Sequence, residues 1–207
     1  MRRLQPFAYS ASPHQRKHGP GGYKNYNEYK DWLRDEFAFR CVYCLERELW
    51  YPSRHAGFAV EHVLPRAAYP HLECAYDNLV YACARCNSFK QEAITLDPTA
   101  VALADHLQLE RDGRITPLTQ EGERYVILFR LNQPPAINNR GEKLLVLRLK
   151  RDVPDNPKVE DLYRMAFGFP DDLPDLEAKR PSINSRPDGL ANTYFRQRAE
   201  GRLGEVY

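Results

Sequence analysis

The cysteines narrow the choice of folds most sharply. Cys41 and Cys44 form one Cys-x-x-Cys motif, Cys83 and Cys86 form a second, and Cys74 stands apart. Two thiolates at this spacing can turn toward one ion, and two such pairs complete the tetrahedral sulfur shell that Zn²⁺ prefers. The spacing therefore predicts a structural zinc site, because four thiolates leave no coordination position open for a substrate.

The cysteine pattern also leaves two alternatives to zinc open. A redox function needs only one pair, in a thioredoxin-like context that neither motif has, and the second alternative is a set of buried or chance cysteines without a metal. A secreted disulfide scaffold is disfavoured, since it uses an even number of cysteines and a secretion signal. The chain has five cysteines and no apolar segment at its start, and we expect Cys74 to be a bystander.

The composition is typical of a globular protein. The 207 residues are 43% hydrophobic and 28% charged, which suits one ordinary domain or a small module with extensions. The longest apolar run covers residues 79–84, far short of the roughly 20 residues that cross a bilayer. We therefore expect a cytoplasmic protein that does not enter a membrane. The net charge of +2 does not by itself indicate a partner.

The chain divides into four predicted segments. Residues 1–40 form a basic arm, free of acidic residues as far as position 27, and a helix over residues 25–39. Residues 41–96 form the core with both cysteine pairs. Residues 97–152 form an extension with a β-hairpin over residues 107–116, in which the apolar runs 125–131 and 144–149 fit strand and helix equally well. Residues 153–207 form a proline-rich, charged and loosely organised tail.

Five polar residues between and just after the cysteine pairs suit phosphodiester hydrolysis. This reaction needs a hard cation, for which Glu61 offers a carboxylate and Asn87 an amide oxygen, a set that fits Mg²⁺ or Mn²⁺. It also needs a neutral imidazole to accept a proton from water, and His62 offers one. Asn78 is placed to hold that imidazole in one tautomer. Lys90 offers a cation for the phosphate oxygens, as do Arg66 and Arg85.

Each of these residues taken alone also fits a purely structural role. His62 can be a satisfied polar residue at the end of a strand over residues 58–64. Asn78 can open a short helix capped by Asp77, and Asn87 can satisfy the backbone of the cysteine turn. Neighbours on a regular strand point to opposite faces, so Glu61 and His62 converge only if the strand twists or ends there.

The order of these motifs resembles the HNH endonuclease family. The resemblance covers residues 41–94: Cys41-x-x-Cys44, Val60-Glu61-His62-Val63-Leu64-Pro65, Asp77-Asn78-Leu79-Val80 and Cys83-x-x-Cys86-Asn87-x-x-Lys90. It implies an α+β protein with a ββα-metal core held by a four-cysteine zinc site. The first metal carboxylate is often Asp in this family and is Glu61 here. The last position is Asn87 rather than His, which favours Mg²⁺ or Mn²⁺.

The resemblance implies roles for the site residues. His62 would be the general base, Asn78 the middle asparagine, Glu61 and Asn87 the ligands of the catalytic metal, and the four cysteines the zinc ligands. Lys90 is assigned to catalysis and to DNA contact. The other predicted DNA-binding residues are Arg66 and Arg85 in the core and Arg2, Arg3, Arg16 and Lys17 in the arm.

Two functions are compatible with these motifs. The first is a metal-dependent endonuclease that hydrolyses DNA, in bacterial anti-phage defence or DNA processing, since residues 112–132 resemble the extension of defence HNH proteins. Such proteins often act with an ATPase or sensor subunit, which makes a partner of that kind the expectation here. The alternative is a non-catalytic zinc-knuckle subunit that binds nucleic acid or a partner protein. Retention of Glu61, His62 and Asn87 favours catalysis, because carboxylates repel DNA unless a cation intervenes.

Overall fold

The computed structural model describes residues 7–206 and mixes short helices with small antiparallel sheets. The predicted α+β class is therefore confirmed. The strands are β1 (Pro20–Gly21), β2 (Phe58–His62), β3 (Leu79–Cys83), β4 (Leu107–Leu109), β5 (Ile115–Pro117) and β6 (Ile183–Asn184). The helices are α1 (Lys30–Glu36), α2 (Ala84–Lys90), α3 (Gln120–Leu128), α4 (Pro134–Asp152), α5 (Pro157–Phe167) and α6 (Tyr194–Ala199). None of the helices among the described residues combines the length and apolar character needed to span a membrane.

The chain forms two compact units. The cysteine unit comprises Gln15–Asp97 and Pro170–Gly204, and the helical unit comprises Pro98–Phe169 with the described parts of Met1–His14 and Glu205–Tyr207. The four predicted segments are a finer division of the chain than these units, and their boundaries stay predictions.

The centre of the cysteine unit is the hairpin of β2 and β3 followed by α2. The strands pair antiparallel from Phe58 opposite Cys83 to His62 opposite Leu79. All five residues of β3 are buried, which explains why this strand is one continuous apolar run without alternation. The chain continues from Cys83 directly into α2, so β2, β3 and α2 form a ββα unit.

Two helix predictions in the cysteine unit were wrong in detail. The helix expected over residues 25–39 is a 3₁₀ turn, Tyr26–Tyr29, followed by α1. Asn25 and Glu28 form a capping box around the turn. The short helix expected to open at Asn78 is also absent, because Tyr76–Asn78 forms a 3₁₀ turn and the apolar run after it pairs with β2 as a strand.

From Gln15 onward, the basic arm is part of the cysteine unit and is held there by buried carboxylates. The Asp35 carboxylate at the end of α1 is fully buried and accepts from Lys17 Nζ at 2.6 Å, His18 Nε2 at 2.8 Å and the backbone N–H of Tyr194 at 2.8 Å. The neighbouring Glu36 carboxylate accepts from the backbone N–H groups of Lys17 and His18. Lys17 and His18 of the predicted arm therefore have internal partners, and a DNA contact by Lys17 would compete with its buried ion pair.

Replacing Asp35 by asparagine is expected to lower the free energy of unfolding by about 3–5 kcal/mol, because it removes one partner of a buried ion-pair network. Burial alone would raise the pKa of Asp35, but Lys17 and His18 lower it below its ordinary value. Urea unfolding near neutral pH measures the loss. Asp77, which is 68% exposed and paired with Arg186, provides the control, and Asp77→Asn should cost less than about 1 kcal/mol. Equal losses of unfolding free energy in Asp35→Asn and Asp77→Asn would contradict a stabilising role of the buried network.

The helical unit shows which secondary structure is adopted by the segments that the sequence left ambiguous. The predicted hairpin is present as β4 and β5, joined by a turn at Asp112-Gly113. Of the two ambiguous apolar runs, 125–131 lies in α3 as far as Leu128 and then in a turn, and 144–149 lies in α4. The tail expected to be loosely organised contains α5 in this unit and α6 in the cysteine unit. Pro157 starts α5 at a position where proline is favoured, and the Asn156 side chain accepts from the N–H groups of Lys158 and Val159.

Candidate functional site

The four cysteines of the two motifs form one buried cluster. Their sulfur atoms all lie within 4.8 Å of one another, and Cys44 Sγ is 3.7 Å from Cys83 Sγ. Zn–S bonds of about 2.3 Å in a tetrahedron place sulfur atoms roughly 3.8 Å apart, so the donor set and its spacing fit a zinc ion. The first pair lies in a turn between the bridged residues Arg40 and Arg47. The second pair joins the end of β3 to the first turn of α2.

Arg85 lies beside this cluster rather than reaching away from the protein. Burial alone would lower the pKa of Arg85, but the sulfur atoms of Cys44, Cys86 and Cys83 raise it above its ordinary value. Its guanidinium also donates to Cys44. The Arg85 guanidinium therefore compensates negative charge on the thiolates. A contact between Arg85 and DNA, as predicted, would compete with this interaction.

An open cleft lies at the end of β2. Its volume is about 580 Å³. The lining residues are Tyr26, Val60, Glu61, His62, Pro65, Arg66, Ala67, Glu73, Asn87, Gln91 and Glu92. Glu61 and His62 both reach the cleft because β2 ends at His62, which resolves the difficulty that neighbours on a strand face opposite sides. Asn87 reaches it from α2, so the structure brings together the three predicted residues Glu61, His62 and Asn87, and Arg66 of the predicted DNA-binding set lines the same cleft.

Glu61 has one satisfied and one unsatisfied carboxylate oxygen. Oε1 accepts from the backbone N–H of His62 at 2.7 Å and lies 3.6 Å from Lys90 Nζ. Oε2 is buried and has no hydrogen-bond partner among residues 7–206. Burial raises the pKa of Glu61, although Lys90 and the His62 N–H oppose the rise. A buried oxygen without a partner is costly, and a cation bound in the cleft would satisfy it.

The His62 ring is held in one orientation. Its Nε2 lies 3.0 Å from the backbone oxygen of Glu73. A carbonyl oxygen only accepts, so Nε2 carries the proton and Nδ1 is the basic nitrogen. Tyr26 packs edge-on against the ring, with 4.8 Å between centroids. Burial lowers the pKa of His62, which favours the neutral imidazole.

Asn78 does not hold the imidazole directly, contrary to the prediction. Its Oδ1 accepts from the backbone N–H of Leu64 at 2.9 Å, and its Nδ2 donates to the carbonyls of Leu64 and Leu72. The side chain thereby closes the loop that carries Glu73. Asn78 acts on His62 only through that loop, because the tautomer is fixed by the Glu73 carbonyl.

Lys90 is a buried residue behind the site. It is 1% exposed, and its ammonium donates to the His62 carbonyl at 2.7 Å. Burial lowers its pKa, and Glu61 opposes this. This position corrects the expectation that Lys90 contacts DNA phosphates, because the ammonium faces β2 and is enclosed by protein.

The other predicted DNA-binding residues have different positions. Arg66 is 59% exposed at the cleft and lies 3.4 Å from a Glu73 carboxylate oxygen, so it is available to a ligand. Arg16 donates to the carbonyls of Asp77 and Leu79 and stacks on the Phe37 and Tyr76 rings. Lys17 is bound to Asp35. Arg2 and Arg3 lie outside the described residues.

Sequence reasoning missed Tyr26 and Glu73. Tyr26 belonged to the apolar spacing of the expected N-terminal helix and carried no separate signal. Glu73 contributes a backbone carbonyl, for which no residue type is diagnostic. Only the position of Glu73 could have indicated it, since Glu73 lies in the loop between Pro65 and Asn78 that connects the two strands.

Comparison with known proteins agrees with the ββα unit and the cysteine cluster. None of the curated proteins compared matches the chain. The family model of the HNH endonuclease matches residues 41–92, about a quarter of the sequence, and spans both cysteine pairs together with Glu61, His62 and Asn87. Residues 41–92 are therefore an HNH endonuclease domain, as the order of the motifs predicted.

Proposed function

We propose that this protein is a divalent-metal-dependent endonuclease that hydrolyses phosphodiester bonds of DNA in the cleft at the end of β2. One observation carries the proposal. Glu61, whose buried Oε2 has no partner among residues 7–206, lines the same cleft as His62, whose Nε2 is fixed by the Glu73 carbonyl. A structural carboxylate would have both oxygens satisfied.

Glu61 and Asn87 would hold the metal, since both line the cleft and carboxylate and amide oxygens suit Mg²⁺ or Mn²⁺. When bound, the cation offsets negative charge on the phosphate and on the leaving oxygen. Lys90 keeps Glu61 in place through Oε1, at 3.6 Å. The ammonium also limits the cost of a buried carboxylate before a cation binds.

His62 acts as the general base. Its Nδ1 accepts the proton of the attacking water, while Nε2 keeps its own proton on the Glu73 carbonyl. Asn78 orders the loop behind that carbonyl through its bonds to Leu64 and Leu72. Arg66, exposed at the cleft, contacts phosphate oxygens of the bound strand.

The cysteine cluster serves as the scaffold of the site. A structural zinc ion would join the turn after α1 to the junction of β3 and α2, and α2 carries both Asn87 and Lys90. Four thiolates complete the zinc shell, so this ion takes no part in hydrolysis. We propose a role in bacterial defence or DNA processing, together with an ATPase or sensor subunit, on the family resemblance alone.

Plasmid cleavage in Mg²⁺, Mn²⁺ and EDTA tests the proposed activity together with Glu61→Gln. We expect the wild-type protein to cleave in either metal and to stop in EDTA. Glu61→Gln should lose cleavage at Mg²⁺ concentrations that saturate the wild type, because an amide is a much weaker ligand than a carboxylate. Product formation on agarose gels, measured over a Mg²⁺ titration, quantifies the effect.

Glu92→Gln provides the matched control, since Glu92 lines the same cleft and has no assigned role in metal binding. It should keep the wild-type Mg²⁺ dependence. Equal losses in the two variants would contradict the assignment of Glu61. A wild-type protein that binds DNA and leaves it intact in both metals would favour the alternative, a non-catalytic binding subunit.

A further inference from the structure

The helical unit contains a basic concavity that the proposed cleavage site does not use. It has a volume of about 290 Å³ and is lined by Arg111, Leu144, Leu147, Arg148 and Arg151. We call these five residues the arginine groove. Three of them carry a positive charge and none carries a negative charge, although the chain as a whole has a net charge of only +2.

The arginine groove is built from two elements that are locked together. Arg111 lies in the turn between β4 and β5, and the remaining residues lie on α4. Arg140 of α4 is buried and donates from Nε to the Gly113 carbonyl of the turn at 2.6 Å. Gly113 has a φ of +93°, and a Cβ placed there would lie 2.7 Å from the Gly141 nitrogen. This close approach, which requires glycine, fixes Arg111 relative to α4.

The arginines of the groove are less neutralised than two other surface arginines, Arg164 and Arg196. Among residues 7–206, Arg111 and Arg148 form no direct ion pair, and Arg151 pairs with its neighbour Asp152 at 2.8 Å. The Asp152 carboxylate also interacts electrostatically with Arg148 over a longer distance. By contrast, Arg164 pairs with two glutamates and Arg196 with two others. Three guanidinium groups beside one carboxylate leave an excess of positive charge on this concave surface, and such a surface attracts anions.

We propose that the arginine groove binds the phosphodiester backbone of nucleic acid, as a contact separate from the cleavage site. Guanidinium groups match phosphate oxygens in charge and in bidentate geometry. No carboxylate lines the groove, and the one beside it, Asp152, is paired with Arg151. The choice of nucleic acid as the ligand rests on the proposed endonuclease function, whose substrate carries a phosphate at every nucleotide.

Fluorescence anisotropy with a labelled DNA duplex in EDTA tests this contact without cleavage. The variant replaces Arg111, Arg148 and Arg151 by alanine. Loss of three phosphate contacts should reduce the slope of log K against log salt concentration by about 2.7, and should raise Kd by about tenfold or more at low salt. The three side chains are exposed, so the variant should unfold at the wild-type temperature. The double variant Arg111→Ala with Arg148→Ala repeats the test with the Arg151–Asp152 pair intact.

The matched control replaces Arg124, Lys158 and Arg180 by alanine, which removes the same charge from exposed positions outside the groove. It should keep more of the affinity and a steeper salt slope. An unchanged Kd and slope in the groove variants, or equal losses in the groove and control variants, would overturn the proposal. An acidic protein ligand would give the first of these results.

Cleavage by the wild-type protein is measured separately in Mg²⁺. If the wild-type protein cleaves DNA and the groove variants bind DNA with the wild-type Kd, the groove proposal is rejected and the endonuclease proposal stands. Groove-dependent binding without any cleavage would support the groove and reject the endonuclease. A wild-type protein that does not bind DNA would overturn the groove proposal as well.

Discussion

Replacing His62 by alanine is expected to reduce the rate of DNA cleavage by about 10²- to 10⁴-fold, the range that a general base contributes. The reason is geometric. Nε2 is bound to the Glu73 carbonyl at 3.0 Å, so Nδ1 is the nitrogen that can accept a proton from water. The variant keeps Glu61, Asn87 and the cysteine cluster, and metal binding should therefore persist. Cleavage rates at saturating Mg²⁺ measure the effect.

Two comparisons separate a base from a residue that only supports the fold. His55 is 48% exposed, is paired with Asp172 and does not line the cleft, so His55→Ala should cleave at the wild-type rate. Imidazole added to His62→Ala should restore part of the activity, because the deleted ring leaves a space open to the cleft. Cleavage by purified His62→Ala at the wild-type rate would contradict the general-base assignment.

The part of the site that the sequence predicted is the part encoded by short-range spacing. Two cysteines three positions apart predict a metal site without knowledge of the fold. The structure confirms that the four sulfur atoms of the two pairs form one cluster. Glu61 and His62 lie just before Pro65, which predicts the end of a strand. The convergence of their side chains follows from that end, and β2 does stop at His62.

The errors concern groups whose partners are distant in sequence. Lys17 was assigned to DNA contact as a cation of the basic arm, whereas its partner Asp35 lies 18 positions later and becomes a neighbour only in the fold. Lys90 was placed on the DNA for the same reason, because its acceptor, the His62 carbonyl, is 28 positions away. Counting charges along a sequence cannot distinguish a solvated cation from one that is paired inside the protein.

The cost of burying polar groups explains why the positions of the charged residues could not be predicted from composition. The acid-free stretch before residue 28 looked like a nucleic-acid contact, but Asp35 and Glu36 are buried carboxylates that need donors, and that stretch supplies them. The arginine groove is the opposite case. Its residues are scattered between positions 111 and 151, and only the packing of Gly113 against α4 brings them to one surface.

The second large effect is expected for Cys83→Ser, which should abolish stable folding of the cysteine unit. Structural zinc sites contribute on the order of 10 kcal/mol, comparable with the whole free energy of unfolding of a typical domain, about 5–15 kcal/mol. Cys83 ends β3, pairs with Phe58 and lies 3.7 Å from the Cys44 sulfur. A hydroxyl at this position is a poor ligand for zinc, so the ion should be lost or bound much more weakly. Zinc content per chain and the thermal unfolding midpoint measure the result.

Cys74→Ser is the matched control, because Cys74 is half-buried and lies outside the four-sulfur cluster. It should retain one zinc ion per chain and unfold near the wild-type midpoint. A Cys83→Ser protein that contains no zinc and still unfolds cooperatively at the wild-type temperature would refute the scaffold role. In that case the junction of β3 and α2 would be held by the apolar core alone. Glu61, His62 and Asn87 would then keep their arrangement without help from the cysteines.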